Sequence, residues 1–168
     1  HLINRGQGAA EQTGTNYCLS QGADIVIHMD ADGQHDPAAI NKLVEPLVQH
    51  KAEVVIGSRF LGKAINIPFS RRLILRLGLL FIRLFTGLKL SDAQNGFRAL
   101  SREAATVITI KHDGMAHASE ILDQVAELKI KFLEVPVTIH YTDYSLERGQ
   151  SNLNAWRIAW KLIIEKFF

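Results

Sequence analysis

The 168-residue chain has little cysteine and no low-complexity sequence, and both absences limit the kinds of protein that it can be. Its single cysteine, Cys18, rules out an internal disulfide and therefore a disulfide-stapled secreted scaffold. Cys18 falls within an apparent helix, so we expect a small buried side chain in a reducing compartment. No repeat or low-complexity linker interrupts the sequence, and its length suits one compact domain with a substantial core.

The sequence also lacks an excess of charge of one sign and a long hydrophobic run. The chain has 19 basic and 17 acidic residues and a net charge of +2, which is too even for a general nucleic-acid-binding protein. Arg76 and Arg83 break the most apolar stretch, 73–88, so a membrane-spanning helix is not expected. The sequence after His1 lacks the pattern of a signal peptide, and we expect the chain to begin inside a longer protein.

Helical and extended patterns alternate along the chain, as in α/β domains with a partly parallel sheet. Short apolar runs rich in β-branched residues predict buried strands at 23–29 and 53–57, and an alternating pattern predicts a strand at 132–141. Pro136 places this last strand near a sheet edge or a bulge. Helices are predicted at about 9–20, 37–49, 68–89, from 102, 116–128 and 152–168, with a loop at 62–68.

Two carboxylates one residue apart follow the first predicted strand, in the sequence IHMDADGQHDP. On an extended backbone residues i and i+2 point the same way, so Asp30 and Asp32 can share one ligand. Open α/β sheets bind ligands beyond the carboxyl ends of their strands. Carboxylates are ligands that Mg²⁺ and Mn²⁺ prefer, with water and substrate phosphates completing the coordination shell. The pattern therefore predicts a metal-bound diphosphate at this position.

Other interpretations of the acidic pair exist. A solvated Asp-Gly turn is the simplest of them, since such dipeptides are common in surface loops. A calcium loop is excluded, because His35 stands where that loop needs glycine and Asn41 where it needs glutamate. A phosphohydrolase similar to the haloacid dehalogenases also places DxDG after an apolar strand, with Asp30 as nucleophile. Its motif normally continues with threonine or valine, whereas this chain has Gln34, and no downstream acidic cluster completes its metal site.

Five blocks, read together, resemble the family 2 glycosyltransferases, and within them the dolichyl- or polyprenyl-phosphate mannosyl- and glucosyltransferases. The blocks are NRGQGAA at 4–10, GADIVIHMDADGQHDP at 22–37, VVIGSRF at 54–60, LSDAQNGFRAL at 90–100 and FLEVPVTIHY at 132–141. The resemblance implies a GT-A fold, with a mixed, mostly parallel sheet flanked by helices. Residues 1–151 would form the C-terminal portion of the catalytic domain, without the N-terminal unit that binds the nucleotide.

The same resemblance implies a metal-dependent, inverting transfer of a hexose, mannose or glucose, to a polyprenyl or dolichyl phosphate. The donor would be GDP-mannose or UDP-glucose, and the enzyme would be peripheral at the cytoplasmic face of the membrane. The metal, Mg²⁺ or Mn²⁺, would be held by Asp30, Asp32 and Gln34. Residues implied to contact the donor or its diphosphate are Asn4, Gly6, Asp30, Asp32, Gln34, Arg148 and Ser151. The resemblance also places a helix N-terminus near the diphosphate, and lysine often stands in relatives at the position of Gln7.

The residues implied to act in catalysis are Asp32, Arg59 and Asp92. Arg59 matches an arginine that faces the reacting phosphates in relatives, and a guanidinium fork suits phosphate oxygens. A lipid phosphate is already ionised near neutral pH, so no base is needed and Asp92 is expected to position rather than to take a proton. Phe97, in the same block as Asp92, is expected in the core.

The basic, apolar segment 68–89 predicts a helix in a membrane interface. Arg72, Arg76 and Arg83 fall within about 40 degrees of a helical wheel, with leucine, isoleucine and phenylalanine over the remainder. The alternative is an amphipathic helix packed on the protein with its arginines in water. By resemblance, Arg59, Arg71 and Arg72 would bind the acceptor phosphate. The segment 152–168, with tryptophans beside basic residues, is either a second interfacial helix or one docked on the body.

Two other functions remain open from the sequence. One is a truncated, non-catalytic module that associates with membranes, and the other is the DxD phosphohydrolase. Since the nucleotide-binding unit is expected to be missing, this chain alone is predicted to have little or no transferase activity.

Overall fold

The computed structural model describes residues 1–141. Arg148, Ser151 and the helix predicted at 152–168 lie outside the described residues. None of the helices in residues 1–141 combines the length and the apolar character needed to cross a bilayer.

Helices and strands alternate along the chain, as the sequence patterns predict. The helices are α1 (Gln7–Ser20), α2 (Ile40–Val48, preceded by a 3₁₀ turn at Pro37–Ala39), α3 (Phe69–Thr86), α4 (Arg102–Val107) and α5 (His117–Glu127). The strands are β1 (Ile25–His28), β2 (Val54–Ile65), β3 (Arg98–Ser101) and β4 (Phe132–His140). The predicted helices at 9–20, 68–89 and 116–128 therefore match α1, α3 and α5 to within about two residues at most ends.

The four described strands form one open, mixed sheet in the order β1-β3-β2-β4. Strands β1 and β2 both pair antiparallel with β3, and β4 pairs parallel with β2, so three of the four strands run in one direction. The mixed α/β sheet is thus confirmed. Strand β3 was not predicted: it is four residues long and begins with a charged residue, Arg98, which is only 3% exposed.

Strand β2 is longer than predicted, because it continues through a wide bulge to Ile65. The predicted loop at 62–68 is therefore wrong over its first part. The register with β4 runs from Ser58 opposite Pro136 to Lys63 opposite Thr138, so residues 59–62 lie opposite Val137 alone. A Cβ on Gly62 would collide with the Val137 backbone, which explains why glycine occupies this close approach. The prediction of a bulge or an edge at Pro136 is confirmed, since β4 is also the last strand of the described sheet.

The core has two layers, one on each face of the sheet. Successive strand residues point to opposite faces, so Val54 and Ile56 belong to one cluster and Val55 to the other. The first cluster packs the sheet against side chains of α3, α4 and α5, and the second packs it against α2. Phe97 is 1% exposed in the second cluster, as predicted. Cys18 is only half-buried, against the first cluster, rather than fully buried.

Candidate functional site

Asp30 lies just beyond the carboxyl end of β1, where the sequence places it. Its Oδ1 accepts a hydrogen bond of 2.6 Å from the Gln7 side chain. Its Oδ2 lies 3.7 Å from Nε2 of His35, longer than a hydrogen bond, and its side chain is 33% exposed. The neighbouring His35 ring holds the pKa of Asp30 below its ordinary value of 3.8, and the charge of Arg98 and the Gln7 amide add to this against the effect of burial. Asp30 is therefore an ionised, partly open carboxylate at neutral pH.

Asp32 is held by a local turn. Its Oδ1 accepts a hydrogen bond of 3.0 Å from the Gln34 backbone amide, in a turn that contains Gly33 at a φ of 77°. The turn is tied to strand β4, because the His140 amide donates to the Gln34 carbonyl at 3.0 Å. Asp32 and Gln34 are both half-buried beside Asp30 along the chain.

The Asp30 carboxylate lies against the backbone of Gly96. A Cβ built on Gly96 would overlap the Asp30 carboxylate, so glycine is the residue that this contact allows. The turn around Gly96 is fixed by Asn95, whose side chain donates to the Gly57 carbonyl at 2.6 Å and accepts from the Phe97 amide at 3.1 Å. The structure thus joins the acidic pair to the NGFR block, which are about 65 residues apart. Nothing in the sequence alone indicates this contact.

The acidic pair fits a divalent cation of the Mg²⁺ or Mn²⁺ type. Carboxylate oxygens are hard ligands, and Asp30 is ionised and partly accessible. Across residues 1–141, no group of three or more histidine, cysteine or acidic side chains could hold a metal ion. Such a cation would therefore take one or two protein carboxylates and fill its remaining positions with water and phosphate oxygens, as Mg²⁺ usually does.

Arg59 and Asp92 form a buried ion pair. The Nε of Arg59 donates to Oδ2 of Asp92 at 2.6 Å, and the backbone amide of Arg59 donates to the same oxygen at 3.0 Å. The remaining guanidinium nitrogens donate to the Tyr141 hydroxyl at 2.5 Å and to the Gln94 carbonyl at 2.9 Å. Burial opposes the charge of Arg59, but Asp92 and Tyr141 outweigh it and raise the pKa of the guanidinium. Arg59 is thus a fixed positive charge.

A second carboxylate, Glu134 on β4, binds the backbone next to this ion pair. Its two oxygens accept from the Ser91 amide at 2.8 Å, the Ser91 hydroxyl at 2.8 Å and the Asp92 amide at 3.0 Å. The Ser91 hydroxyl also lies 2.7 Å from the hydroxyl of Ser58. Sequence reasoning missed Glu134, although an acidic residue in the middle of a predicted strand was a signal. It fixes the backbone that carries Asp92.

The structure brings Arg59 and Asp92 together but not into contact with the acidic pair. Within the described part of the chain, no hydrogen bond or ion pair joins either residue to Asp30 or Asp32. Asp92 is 1% exposed and bound to Arg59, a geometry that suits a positioning group. The predicted roles of Asp32, Arg59 and Asp92 in catalysis remain predictions.

A buried cluster that the sequence did not predict lies behind Asp30. Glu11 on α1 sits between two imidazoles: its Oε1 lies 3.2 Å from Nε2 of His117 and its Oε2 lies 3.4 Å from Nδ1 of His28. Burial, together with the charge of Arg98, lowers the pKa of His28 to about 4, so this ring is neutral at pH 7. Burial would raise the pKa of Glu11, but His117 and Arg98 lower it overall. The periodicity of the sequence carries no signal for a cluster assembled from three separate elements.

The N-terminal block is arranged partly as expected. The side chain of Asn4 accepts a hydrogen bond of 2.9 Å from the amide of Gly6, which has a φ of 110°. Helix α1 begins beside Asp30, as the Gln7 contact shows. Its amides at Gly8 and Ala9 nevertheless donate to the Asp113 carbonyl at 2.8 and 3.4 Å. These two amides are therefore bound within the protein, and the nearness of the helix N-terminus to a diphosphate stays a prediction.

The predicted acceptor arginines begin helix α3. Arg72 is exposed and Arg71 is half-buried, both in the first turn after Pro68. Within residues 1–141, no hydrogen bond or ion pair joins Arg72 to Asp30 or Asp32. The contact of Arg71 and Arg72 with an acceptor phosphate stays a prediction.

The sequence matches the family described as glycosyl transferase family 2 over residues 1–108. A dolichyl-phosphate N-acetylglucosaminyltransferase from Methanococcus voltae, which uses UDP-N-acetylglucosamine, is 34% identical over 99% of this chain and 68% of its own length. An uncharacterized protein of Methanocaldococcus jannaschii is 38% identical over 100% of this chain and 71% of its own length. An undecaprenyl-phosphate mannosyltransferase from Micrococcus luteus is 34% identical over 92% of this chain and 65% of its own length.

The fold is similar to that of glucosyl-3-phosphoglycerate synthase from Mycobacterium tuberculosis, solved with Mn²⁺ and UDP-glucose. The TM-score is 0.60 at 20% identity, over 94% of this chain and 52% of that one. The same enzyme has been solved with Mg²⁺ and UDP. This chain thus spans about half the length of the solved structures that it matches. Together with the sequence matches, this likeness establishes a GT-A-like fold, and the chain belongs to glycosyl transferase family 2.

Proposed function

We propose that the protein containing this chain transfers a hexose from a nucleotide-sugar to a polyprenyl or dolichyl phosphate. The observation that carries the proposal is the ionised, partly open carboxylate of Asp30 just beyond the carboxyl end of β1, with Asp32 two residues later in the chain. Two relatives are a dolichyl-phosphate and an undecaprenyl-phosphate transferase by name, and this supports the lipid acceptor. The donor is proposed to be GDP-mannose or UDP-glucose.

The carboxylates of Asp30 and Asp32, with Gln34 on the same turn, would hold Mg²⁺ or Mn²⁺. When bound, such a cation stabilises the negative charge that collects on the departing nucleoside diphosphate. The acceptor phosphate is ionised at neutral pH and can attack the anomeric carbon directly, with inversion. Asp92 therefore has no proton to accept, and its buried bond to Arg59 fits a positioning role.

Arg59 is proposed to act on phosphate oxygens through its outer edge. Three of its contacts, to Asp92 and Tyr141, are buried, whereas the bond from Nη2 to the Gln94 carbonyl is only partly buried. Exchanging that one bond for a phosphate oxygen keeps the ion pair with Asp92 intact. Arg59 thus supplies a rigid positive charge rather than a mobile one.

Helix α3 supports the proposed membrane surface. Its buried residues, Leu75 and Ile82, face the core. The large apolar side chains that it exposes lie within an arc of about 80 degrees on the other side, and they are Phe69, Leu73, Leu77, Leu80 and Leu84. Arg72, Arg76 and Arg83 flank this apolar stripe along one edge, and all three are exposed. An exposed apolar stripe beside arginines matches a helix lying among lipid headgroups, and we propose the cytoplasmic face.

The decisive experiment measures transfer of labelled sugar from GDP-mannose and from UDP-glucose to a polyprenyl phosphate in liposomes, with Mn²⁺ or Mg²⁺. Asp32→Asn is expected to abolish transfer, a loss of at least about 100-fold, and to leave liposome binding unchanged. Replacing Leu77 and Leu80 by serine is expected to weaken liposome binding, which Asp32→Asn leaves unchanged. The chain should be assayed alone and with the N-terminal unit of a relative attached, since the matching relatives are longer.

Three outcomes separate the competing functions. Lipid-linked sugar from the extended protein supports the transferase. Orthophosphate released from phosphomonoesters in an Asp30-dependent way identifies the phosphohydrolase, and liposome binding without any transfer identifies a non-catalytic module. Equal turnover by the chain alone and by the extended protein refutes the expectation that the chain lacks an essential unit.

A further inference from the structure

Asp30 and Asp32 are held in different ways. Asp32 accepts from its own turn, through the amide of Gln34 two residues later. Asp30 accepts instead from the side chain of Gln7, which belongs to another element, helix α1. The position of Asp30 therefore depends on how α1 is fixed, and that of Asp32 does not.

The Gln7 amide nitrogen bridges two carboxylates. Its Nε2 lies 2.6 Å from Oδ1 of Asp30 and 3.4 Å from Oε1 of Glu11, and an amide group carries two N–H donors. Each donor can thus serve one carboxylate. Without the amide, two ionised carboxylates would share this space with no donor between them, an arrangement that like charges disfavour.

Glu11 lies between two histidines. Its Oε1 contacts Nε2 of His117 on α5 at 3.2 Å, its Oε2 faces Nδ1 of His28 on β1 at 3.4 Å, and its side chain is 15% exposed. The other nitrogen of His28 lies 2.9 Å from the Thr15 hydroxyl. The other nitrogen of His117 lies 2.9 Å from the Gly114 carbonyl. The anchor for Gln7 is therefore built from two helices and a strand.

We propose that Gln7 is a positioning residue that fixes the Asp30 carboxylate by tying it to the buried Glu11. This inference rests on the proposed function for the identity of the cation and its diphosphate. Gln7 holds Oδ1 of Asp30, while the Gly96 backbone limits the space on the side of Oδ2. A carboxylate oxygen has two lone pairs, so Oδ1 can accept from Gln7 and still meet a cation. Partners of metal ligands orient them in this way, and their loss typically weakens metal binding 10- to 100-fold.

The test compares Gln7→Met with Gln21→Met in the full chain. Methionine keeps the shape and length of glutamine but removes the donor. Gln21 is an exposed glutamine just after α1, and among the described residues its side chain donates only to the Ser20 hydroxyl, at 3.4 Å. Mn²⁺ alone is titrated, with free Mn²⁺ followed by electron paramagnetic resonance. We expect about tenfold weaker binding for Gln7→Met and none of this loss for Gln21→Met.

A second measurement needs no metal. Urea unfolding of the metal-free chain compares Gln7→Met in the natural background with the same change in Asp30→Ala and in Asp32→Ala. A hydrogen bond to a charged group predicts that Gln7→Met lowers the ratio of folded to unfolded chain about tenfold in the natural and Asp32→Ala backgrounds. In Asp30→Ala the loss should shrink to about twofold or less. Gln7→Ala repeats both measurements if methionine disturbs the fold.

The two measurements distinguish the two proposals. If the natural chain does not bind Mn²⁺, the proposed metal site fails, and the unfolding comparison alone decides the role of Gln7. Mn²⁺ binding that is unchanged by Gln7→Met overturns the positioning role. So does an unfolding loss that is the same in Asp30→Ala as in Asp32→Ala.

Discussion

The cluster around Arg59 and the cluster around Glu11 are both buried and charged, but they differ in how completely they are paired. Arg59 has partners at all three guanidinium nitrogens, and Asp92 and Glu134 accept several hydrogen bonds each. In the other cluster, Glu11, His28 and Arg98 each have a buried atom with no hydrogen-bond partner among residues 1–141. We call the fully paired cluster around Arg59 the closed cluster and the incompletely paired cluster around Glu11 the open cluster.

Complete pairing means that the Arg59 cluster is fixed by the fold alone. A buried charge that is fully paired gains rigidity, whereas each unpaired buried atom costs free energy. The closed cluster therefore fixes the loop that carries Gln94 and Gly96. The open cluster lies next to Asp30, where the proposed cation and diphosphate would bring further charge. Functional sites often depart from the most stable packing, and the incomplete pairing beside Asp30 is a departure of this kind.

The largest effect is expected from breaking the closed cluster. Arg59→Met leaves the Asp92 carboxylate buried without its partner, and we expect a loss of about 3–5 kcal/mol in the free energy of unfolding. Replacing Asp92 by leucine as well should recover part of that loss, because no charge is then left unpaired. Arg102→Met, which removes an exposed pair with Asp24, should cost less than about 1 kcal/mol. Urea denaturation followed by circular dichroism measures all three, and equal losses for the two arginines would contradict the distinction.

The open cluster is expected to respond to pH. The pKa of His28 is about 4 in the folded chain and about 6.5 in the unfolded one, so between these values only the unfolded chain takes up this proton. The free energy of unfolding should therefore be highest above pH 6.5 and fall as the pH drops towards 4, by about 3 kcal/mol from this group. Unfolding curves at several pH values measure the slope. His28→Gln should flatten it, and an unchanged slope in this variant would show that His28 is not its source.

A smaller effect on stability is expected from a change at Gly96, which contacts Asp30. Gly96→Ala introduces a Cβ that overlaps the Asp30 carboxylate, and we expect a loss of about 1–3 kcal/mol in the free energy of unfolding. Displacing Asp30 should also weaken Mn²⁺ binding by at least about tenfold. Gly14→Ala, on helix α1 with no atom within 4 Å of the new Cβ, should instead stabilise the chain by about 0.5–1 kcal/mol. Mn²⁺ binding that survives Gly96→Ala unchanged would separate Asp30 from the metal site.

Local patterns predicted the elements that local chemistry determines. The apolar run before Asp30 correctly indicated a strand, the proline at position 136 a bulge or sheet edge, and the basic segment 68–89 a helix. Strand β3 escaped prediction, because a strand of four residues that begins with the buried Arg98 has no alternating or apolar signature. The contacts of Glu11 with His117 and of Asp30 with Gly96 join distant parts of the chain. Periodicity reports only neighbouring residues, so it gives no sign of these long-range contacts.

The central place of β3 has a consequence for how the protein is made. Strands β1 and β2 follow each other in the chain, yet neither pairs with the other, and Ile25 of β1 pairs with Ser101. During synthesis β1 thus has no β3 to pair with until residues 98–101 leave the ribosome. Contacts of such long sequence separation form slowly. Gly96, against which Asp30 rests, arrives at the same moment. The nascent chain therefore cannot place Asp30 in its final position before residues 96–101 have been translated.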